Sequence, residues 1–219
     1  MIEIKNLQKS YDNERIIDIP QYTFEKGMSY LIFGPSGCGK STLLNIIAGV
    51  IPADSGEVII NGTDITKMSP VKRDEYRLHS VGYVFQDFRL LDQMTVEDNL
   101  RLLELEVKEK LDIDEMLEPL GILPKKKKKI NTLSVGEKQR VAIARALIKN
   151  PLVLLADEPT GNLNKKIADE IMSLTASYAQ KYNIPVITVS HDYDMKEHFD
   201  NFIEMAELNA ELSEVRAND

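Results

Sequence analysis

With 219 residues, the chain can bury one substantial core, or one core with small appended lobes. A composition of 43% hydrophobic and 28% charged residues is that of an ordinary globular protein, and a formal net charge of −8 argues against a broad nucleic-acid footprint, which needs clustered Lys and Arg. Cys38 is the single cysteine, which excludes an intrachain disulfide and a multi-cysteine metal site.

The first residues, Met1-Ile2-Glu3-Ile4-Lys5, alternate apolar and polar as a strand does, without the basic-then-apolar build of a signal peptide. Short strands are expected over Ile2–Leu7, Arg15–Ile19 and Glu57–Ile60, with turns at Asp12-Asn13 and Asn61-Gly62. Met28–Phe33 is an apolar run that ends in a glycine-rich turn, and Ser41–Ala48 reads as the helix after it. Ser69-Pro70 opens a charged helix with Pro at its first position, and Val81–Phe85 is a buried-type strand. From Thr95, a candidate N-cap, to about Leu120 the pattern is helical and acidic; Lys125–Lys129 is a run of five lysines. A helix begins near Ser134, Leu152–Ala156 reads as a strand buried on both faces, Asn164–Lys181 is helical, and Ile184–Ser190 is the last core strand. Phe202–Val215 is expected to form a closing hairpin.

Strands alternating with helices predict an α/β fold built on a mainly parallel sheet, with a small antiparallel lobe formed by the early strands. The chain is expected to be one domain over residues 1–219, with a helical lobe at about 87–132, where strands are lacking. The longest apolar runs, such as Leu43–Ile51, are too short to span a bilayer, so a cytoplasmic chain that meets a membrane through another protein is expected.

Gly34-Pro35-Ser36-Gly37-Cys38-Gly39-Lys40-Ser41 fits G-x-x-x-x-G-K-[ST], the phosphate-binding loop. Glycines let successive backbone N–H groups curl around an anion, and the following helix adds its positive end. Lys40 brings a mobile charge to the outer phosphates; Ser41, followed by Thr42, offers a hydroxyl to Mg²⁺. Asp157 and Glu158 follow the strand Leu152–Ala156. Alone they would be a turn; beside a phosphate loop, Asp157 can hold the Mg²⁺ hydration shell and Glu158 can accept a proton from the attacking water. Gln86 and His191 each follow a predicted core strand, and ligands of open α/β sheets bind beyond the carboxyl ends of strands. In Leu133-Ser134-Val135-Gly136-Glu137-Lys138-Gln139-Arg140, Ser134 and Glu137 form an S-x-x-E capping box, and a capped helix start remains an anion site.

These motifs together resemble the ATP-binding-cassette ATPases, a phosphate-loop NTPase family, along nearly the whole chain. Leu133–Arg140 with Val141–Leu147 is similar to that family's signature segment. The resemblance implies a head-to-tail dimer of two copies closing on two ATP molecules, each held between one phosphate loop and the other copy's Ser134, Gly136 and Glu137. It also implies a lid-loop glutamine at Gln86 that senses Mg²⁺, a γ-phosphate histidine at His191, an adenine-stacking aromatic at Tyr11, and a separate transmembrane permease as partner. Three positions depart from the family pattern: Val135 in place of a glycine, Glu137 where glutamine is common, and Asn164 in place of an aspartate. A β-branched residue tolerates unusual backbone angles poorly, so altered turnover is an expectation at Val135.

Within the family, Ala156–Leu163 and Val84–Gln86 resemble the branch that drives lipoprotein release, macrolide and peptide export, or cell-division signalling; Phe85–Leu91 is most similar to the last. Two functions of different class follow, transport of a peptide-like substrate and mechanical regulation through a membrane partner. A soluble repair or translation cassette fits less well, since such chains carry two cassettes or a coiled-coil insertion. Phe88, Leu90, Leu91 and Met94 either line a groove for a membrane-partner helix or form the helical lobe's own core. Lys125–Lys129 reads as a solvated loop, with lipid headgroups as the alternative.

Overall fold

The structure is a computed structural model that describes residues 1–12, 14–107, 110–161 and 163–210. In chain order the first elements are β1 (Ile2–Tyr11), β2 (Glu14–Phe24), β3 (Ser29–Phe33), α1 (Lys40–Ile47), β4 (Ser55–Ile60), β5 (Thr63–Asp64), α2 (Pro70–Ser80) and β6 (Val81–Val84). After these come α3 (Val96–Val107), α4 (Ile113–Leu117), α5 (Val135–Leu147), β7 (Val153–Asp157), α6 (Lys165–Tyr182), β8 (Val186–Ser190), β9 (Asn201–Glu204) and α7 (Met205–Leu208).

Two sheets result. β2-β1-β4-β5 is antiparallel, and β6-β7-β8-β3-β9 is parallel throughout. The α/β expectation holds, with the small antiparallel lobe built from the early strands. In the parallel sheet, side-chain alternation sorts the apolar residues into two cores. Val153 and Leu155 of β7 face a core shared with α1 and the antiparallel sheet, where Ile2, Ile4, Ile17 and Leu44 are fully buried. Leu154 and Ala156 face the opposite core, made with α3, α4, α5 and α6.

Local signals explain most helix starts. Ser69 caps α2, accepting from the Lys72 amide, and Pro70 takes its first position. The Thr95 hydroxyl accepts from the Asp98 amide at 3.1 Å and the Asp98 carboxylate accepts in return from Thr95, so Thr95 is the cap of α3. The stretch from Thr95 to about Leu120, expected to be helical, holds two helices, with a new cap at Asp112 opening α4.

The expected C-terminal hairpin is not found. Phe202 lies in β9, which runs parallel beside β3, and the chain then turns into α7; residues 211–215 lie outside the described residues. A capping exchange between Glu204 and Glu207 favours helix at that point. Asn209, fully buried, then accepts from the Asp18 amide and donates to the Ile16 carbonyl, both at 2.7 Å, which fastens this end to β2.

Lys125–Lys129 is less a free solvated loop than a strap across the first turn of α3. Main-chain carbonyls of Lys126 and Lys128 accept from the Glu97 and Val96 amides. Lys125 pairs with Glu137 at 3.2 Å, Lys126 with Asp114 at 2.5 Å, and Lys127 with Glu97. Glu97 is 6% exposed, and the hydrogen bonds from Lys127 and Arg101 hold its carboxyl down at about 2. A carboxyl lowered on folding stabilises above its ordinary value of 4.5 and loses that contribution as pH falls towards the folded value. Glu97→Gln should therefore lower the thermal midpoint by several degrees at pH 7, and the gap from wild type should close as pH falls from about 4.5 towards 2. Thermal melts of both proteins across that range check it.

Candidate functional site

The parallel register aligns the strand ends that carry the site. Val84 of β6 lies opposite Ala156 of β7, Asp157 opposite Val189 of β8, and Ser190 opposite Phe33 of β3. The residues that leave these strands therefore emerge along one edge: Gln86 after β6, Glu158 after β7, His191 after β8, and the Gly34–Gly39 loop after β3.

The loop from Gly34 to Gly39 enters α1 through Gly39, which adopts φ 97°, a left-handed conformation. A Cβ at this position would also stand 3.0 Å from the Ile16 carbonyl oxygen, so glycine is needed for both shape and space. Pro35, Ser36 and Gly37 are exposed, and Cys38 is half-buried. No acidic residue stands in the first turn of α1, which leaves the helix's positive end unopposed. Lys40 is 5% exposed, and its ammonium donates to the carbonyls of Gly34 at 2.6 Å and Pro35 at 2.9 Å. The charge expected to be mobile is folded back onto its own loop, held only by neutral acceptors that an anion can replace.

Ser41 donates from its hydroxyl to Asp157 at 2.9 Å, while Thr42 is half-buried behind it. Burial pushes the Asp157 carboxyl above its ordinary range, with the Ser41 bond pulling the other way. A cation at this point would relieve that cost. One carboxylate and one hydroxyl are hard oxygen donors, and a pair of them suits Mg²⁺, which keeps several waters and takes phosphate oxygens for the rest. The residues present thus fit the metal that the phosphate loop implies. Beyond them, Gln86 shares an open cleft of about 440 Å³ with Phe85, Asp87, Arg89 and Asp157.

Asp157 is the last residue of β7 and Glu158 the first beyond it, so the strand runs one residue later than the sequence predicts. Glu158 has φ 45°, a left-handed conformation unusual for a non-glycine residue, and its amide donates to the Val189 carbonyl at 3.0 Å. That turn carries its carboxylate to His191, with Glu158 Oε2 2.9 Å from His191 Nδ1. Two carboxylates on consecutive residues therefore face different partners, one the Ser41 hydroxyl and the other an imidazole.

Ser134 caps α5 as the capping box predicts: its hydroxyl accepts from the Glu137 amide at 3.3 Å, and Glu137 accepts from the Ser134 amide at 2.8 Å. The Ser134 amide, with Lys125 beside it, holds the Glu137 carboxyl below its usual range. Val135 takes the first helical position without a left-handed φ and is 42% exposed, so its β-branched side chain carries no backbone strain. Gly136 is buried against Ile167 of α6. Among the described residues, no hydrogen bond joins Ser134, Gly136 or Glu137 to the loop at Gly34–Ser41. Tyr11 is 46% exposed at the end of β1, with the Lys9 ammonium 5.4 Å from its ring centre.

Sequence reading missed Tyr83, whose hydroxyl donates to Asp157 at 3.4 Å from within β6; its neighbour Phe85, whose ring stacks on it at 4.3 Å, suggested only a core strand. The two readings of Phe88–Met94 divide. Phe88 and Leu90 pack against the α3–α6 core, whereas Leu91 is 50% exposed and lines a separate groove of about 460 Å³.

The sequence profile of the ABC transporter family matches residues 17–161. The chain belongs to that family. It is an ATP-binding subunit and an ATPase, with ATP and Mg²⁺ as its ligands. It is 37% identical over 200 residues to the ABC transporter ATP-binding protein YxdL of Bacillus subtilis, covering 88% of this chain and 78% of that protein. It is 34% identical over 201 residues to the putrescine transport ATP-binding protein PotG of Escherichia coli, covering 89% of this chain but 51% of PotG. A dimeric post-hydrolysis structure of the ATP-binding cassette MJ0796, bound to ADP and Pi, superposes with a TM-score of 0.81 at 32% identity, covering 93% of this chain and 94% of that one.

Asn164 caps α6, accepting from the Ile167 amide at 3.1 Å, a role the family's aspartate would fill as well. Asn164→Ala should cost about 1 kcal/mol of stability, whereas Asn164→Asp should cost nothing, because either side chain caps and the anion suits a helix start. Chemical denaturation of the three proteins checks it.

Proposed function

We propose that this chain is the motor of a membrane transporter that exports or releases a peptide, lipopeptide, lipoprotein or drug, and that its chemistry is carried by the Glu158–His191 contact at 2.9 Å beside the Ser41–Asp157 contact at 2.9 Å. The chain acts as one cassette, with a helical lobe at about 87–132. It works on the inner face of the membrane through a separate permease, and no nucleic acid takes part.

The amides of Ser36, Gly37, Cys38 and Gly39 surround the phosphates, Pro35 shapes the loop that presents them, Lys40 turns from its loop carbonyls to the outer phosphates, and Tyr11 stacks on the adenine. Magnesium supplies charge neutralisation along the phosphates when bound; Ser41, Gln86 and, through water, Asp157 hold it. Glu158 takes the proton of the water whose oxygen attacks the terminal phosphorus, as the bond to the ADP oxygen breaks and its electrons leave with ADP. His191 orients that carboxylate through Nδ1, leaving its other ring nitrogen for the γ-phosphate. The site is completed by a second copy, whose Ser134, Gly136 and Glu137 close over the ATP from the opposite side. The likeness to a dimeric cassette supports this arrangement, as does the separation of those residues from the phosphate loop within one chain.

The export direction rests on the motif resemblance of Ala156–Leu163 and Val84–Gln86. Similarity to PotG, named for putrescine transport, adds small organic cations to the candidate substrates and leaves the direction open. The Phe85–Leu91 segment favours one further reading, mechanical signalling through the permease with no transported species. Vesicles holding the complete complex separate the two, since only a transporter moves substrate when ATP is added.

Glu158→Gln should slow hydrolysis by at least about 100-fold while ATP affinity stays within a few-fold of wild type, and ATP should trap the variant as a dimer on a sizing column. Lys40→Ala should lose nucleotide affinity itself. Wild-type turnover in the glutamine variant would remove Glu158 from the role of base.

A further inference from the structure

Asp157 is held at both of its oxygens, and only one of the two holders belongs to the phosphate-binding motif. Oδ1 accepts from the Ser41 hydroxyl at 2.9 Å, and Oδ2 accepts from the Tyr83 hydroxyl at 3.4 Å. The sheet explains the second contact. Tyr83 lies opposite Leu155 in the register of β6 and β7, and Asp157 is two residues beyond Leu155, so the three side chains share one face. Such a diagonal neighbour on the next strand is out of reach for a short side chain but within reach of a tyrosine. On the same side, Ser41 and Asn45 stand one turn apart on α1, and the Tyr83 hydroxyl is 3.5 Å from Asn45 Oδ1.

Stacking fixes the ring itself. Phe85 lies on it with centroids 4.3 Å apart and planes inclined by 21°, and the Arg89 guanidinium is 4.1 Å from the centre of the Phe85 ring. Phenylalanine would fill the space of Tyr83 without taking a hydroxyl out of water, a step that costs free energy unless the group is bonded. Among the described residues, the hydrogen bonds of that hydroxyl go to Asn45 and Asp157 alone. It has one proton for two acceptors, and the charged one draws it more strongly. Burial, with the charge of Asp157 behind it, holds the phenol well above its ordinary range, so the group stays a donor.

We propose, on the reading that Asp157 faces the magnesium, that Tyr83 is a positioning residue for that metal: its hydroxyl holds Asp157 Oδ2 while Ser41 holds Oδ1, so the carboxylate offers its remaining lone pairs to the metal's waters in one orientation. A carboxylate held at one oxygen can still turn about the bond to its Cβ; held at both, it keeps its plane. The consequence is selectivity between cations. Magnesium requires near-ideal octahedral geometry, whereas calcium accepts a larger and more variable set of oxygens. A fixed carboxylate therefore favours the smaller ion, and a loose one serves both alike.

The test uses the full chain with a non-hydrolysable ATP analogue. Mn²⁺ binding is titrated by electron paramagnetic resonance, and Mg²⁺ and Ca²⁺ are then measured by their displacement of Mn²⁺. Tyr83→Phe keeps the ring and its stack on Phe85. It should weaken Mg²⁺ about fivefold, the size of one ordinary hydrogen bond, and Ca²⁺ by less than about twofold. Affinity for the analogue in EDTA should stay as in wild type. Mg²⁺ affinity within about twofold of wild type overturns the proposal. A weakening of Ca²⁺ at least as large as that of Mg²⁺ overturns it too, as does lost analogue affinity in EDTA, because each marks a general disturbance of the site. Asp157→Asn runs alongside. If that variant binds Mg²⁺ as wild type does, the placement of Asp157 at the magnesium falls and the role of Tyr83 with it; if it loses Mg²⁺ while Tyr83→Phe does not, only the role of Tyr83 falls.

Discussion

Five parallel strands held in one register are what the site depends on. Hydrogen bonds pair Val84 with Ala156, Asp157 with Val189 and Ser190 with Phe33, so four chain segments far apart in sequence leave the sheet at a common level. A slip of one residue in any of these strands would turn its side chains to the opposite face and exchange the two cores. The register is specified by apolar residues that fill both faces: β7 sends Val153 and Leu155 to one core and Leu154 and Ala156 to the other. Placement of the chemistry is thus a by-product of packing, and the functional residues need only be the first ones beyond each strand.

That placement is refined by local backbone conformation. Asp157 and Glu158 are adjacent, yet one meets Ser41 and the other His191. In a continued strand they would point to opposite faces of the sheet; the left-handed turn at Glu158 instead brings its carboxylate along the sheet edge. Such a conformation is costly for a residue with a Cβ, and the amide of Glu158 offsets part of the cost by bonding to Val189. Two carboxylates so close also repel, which is one of the influences that raise Asp157. Both features suit a site designed to gain a cation rather than to stand as a finished structural network.

How much of this was legible in the sequence follows from the range of the interactions involved. The phosphate loop, the capping box at Ser134 and Glu137, and the caps at Ser69 and Thr95 are local, and each could be read within a few residues. The α/β class was readable from alternating element types. What escaped depended on contacts across the chain. Nothing near Phe202 says that it joins β3 in parallel, because the partner strand is some 170 residues away by their paired positions, Leu31 and Phe202. The Lys125–Lys129 run reads as a solvated stretch until Glu97, Asp114 and Glu137 are placed beside it. Tyr83 was hidden for a related reason: a strand residue beside Phe85 gives no sign that its hydroxyl faces a carboxylate on the next strand. The concern over Val135 rested on a family pattern; its helical backbone angles remove the steric part of that concern.

The pairing of the lysine strap also bears on how the two halves of the site communicate. Lys125 reaches Glu137, which is itself one arm of the cap on α5, and the last turn of the same helix carries Arg145, which donates to the carbonyls of Phe88 and Arg89. α5 therefore spans from the capping box at Ser134 to the loop that follows β6. A helix is stiff along its axis, so a displacement imposed at one end is transmitted to the other rather than absorbed within it. Each end is held by hydrogen bonds that involve a charged side chain, Glu137 at one and Arg145 at the other. A change in either set of contacts would bias the same element, which is the physical condition for coupling between the two ends.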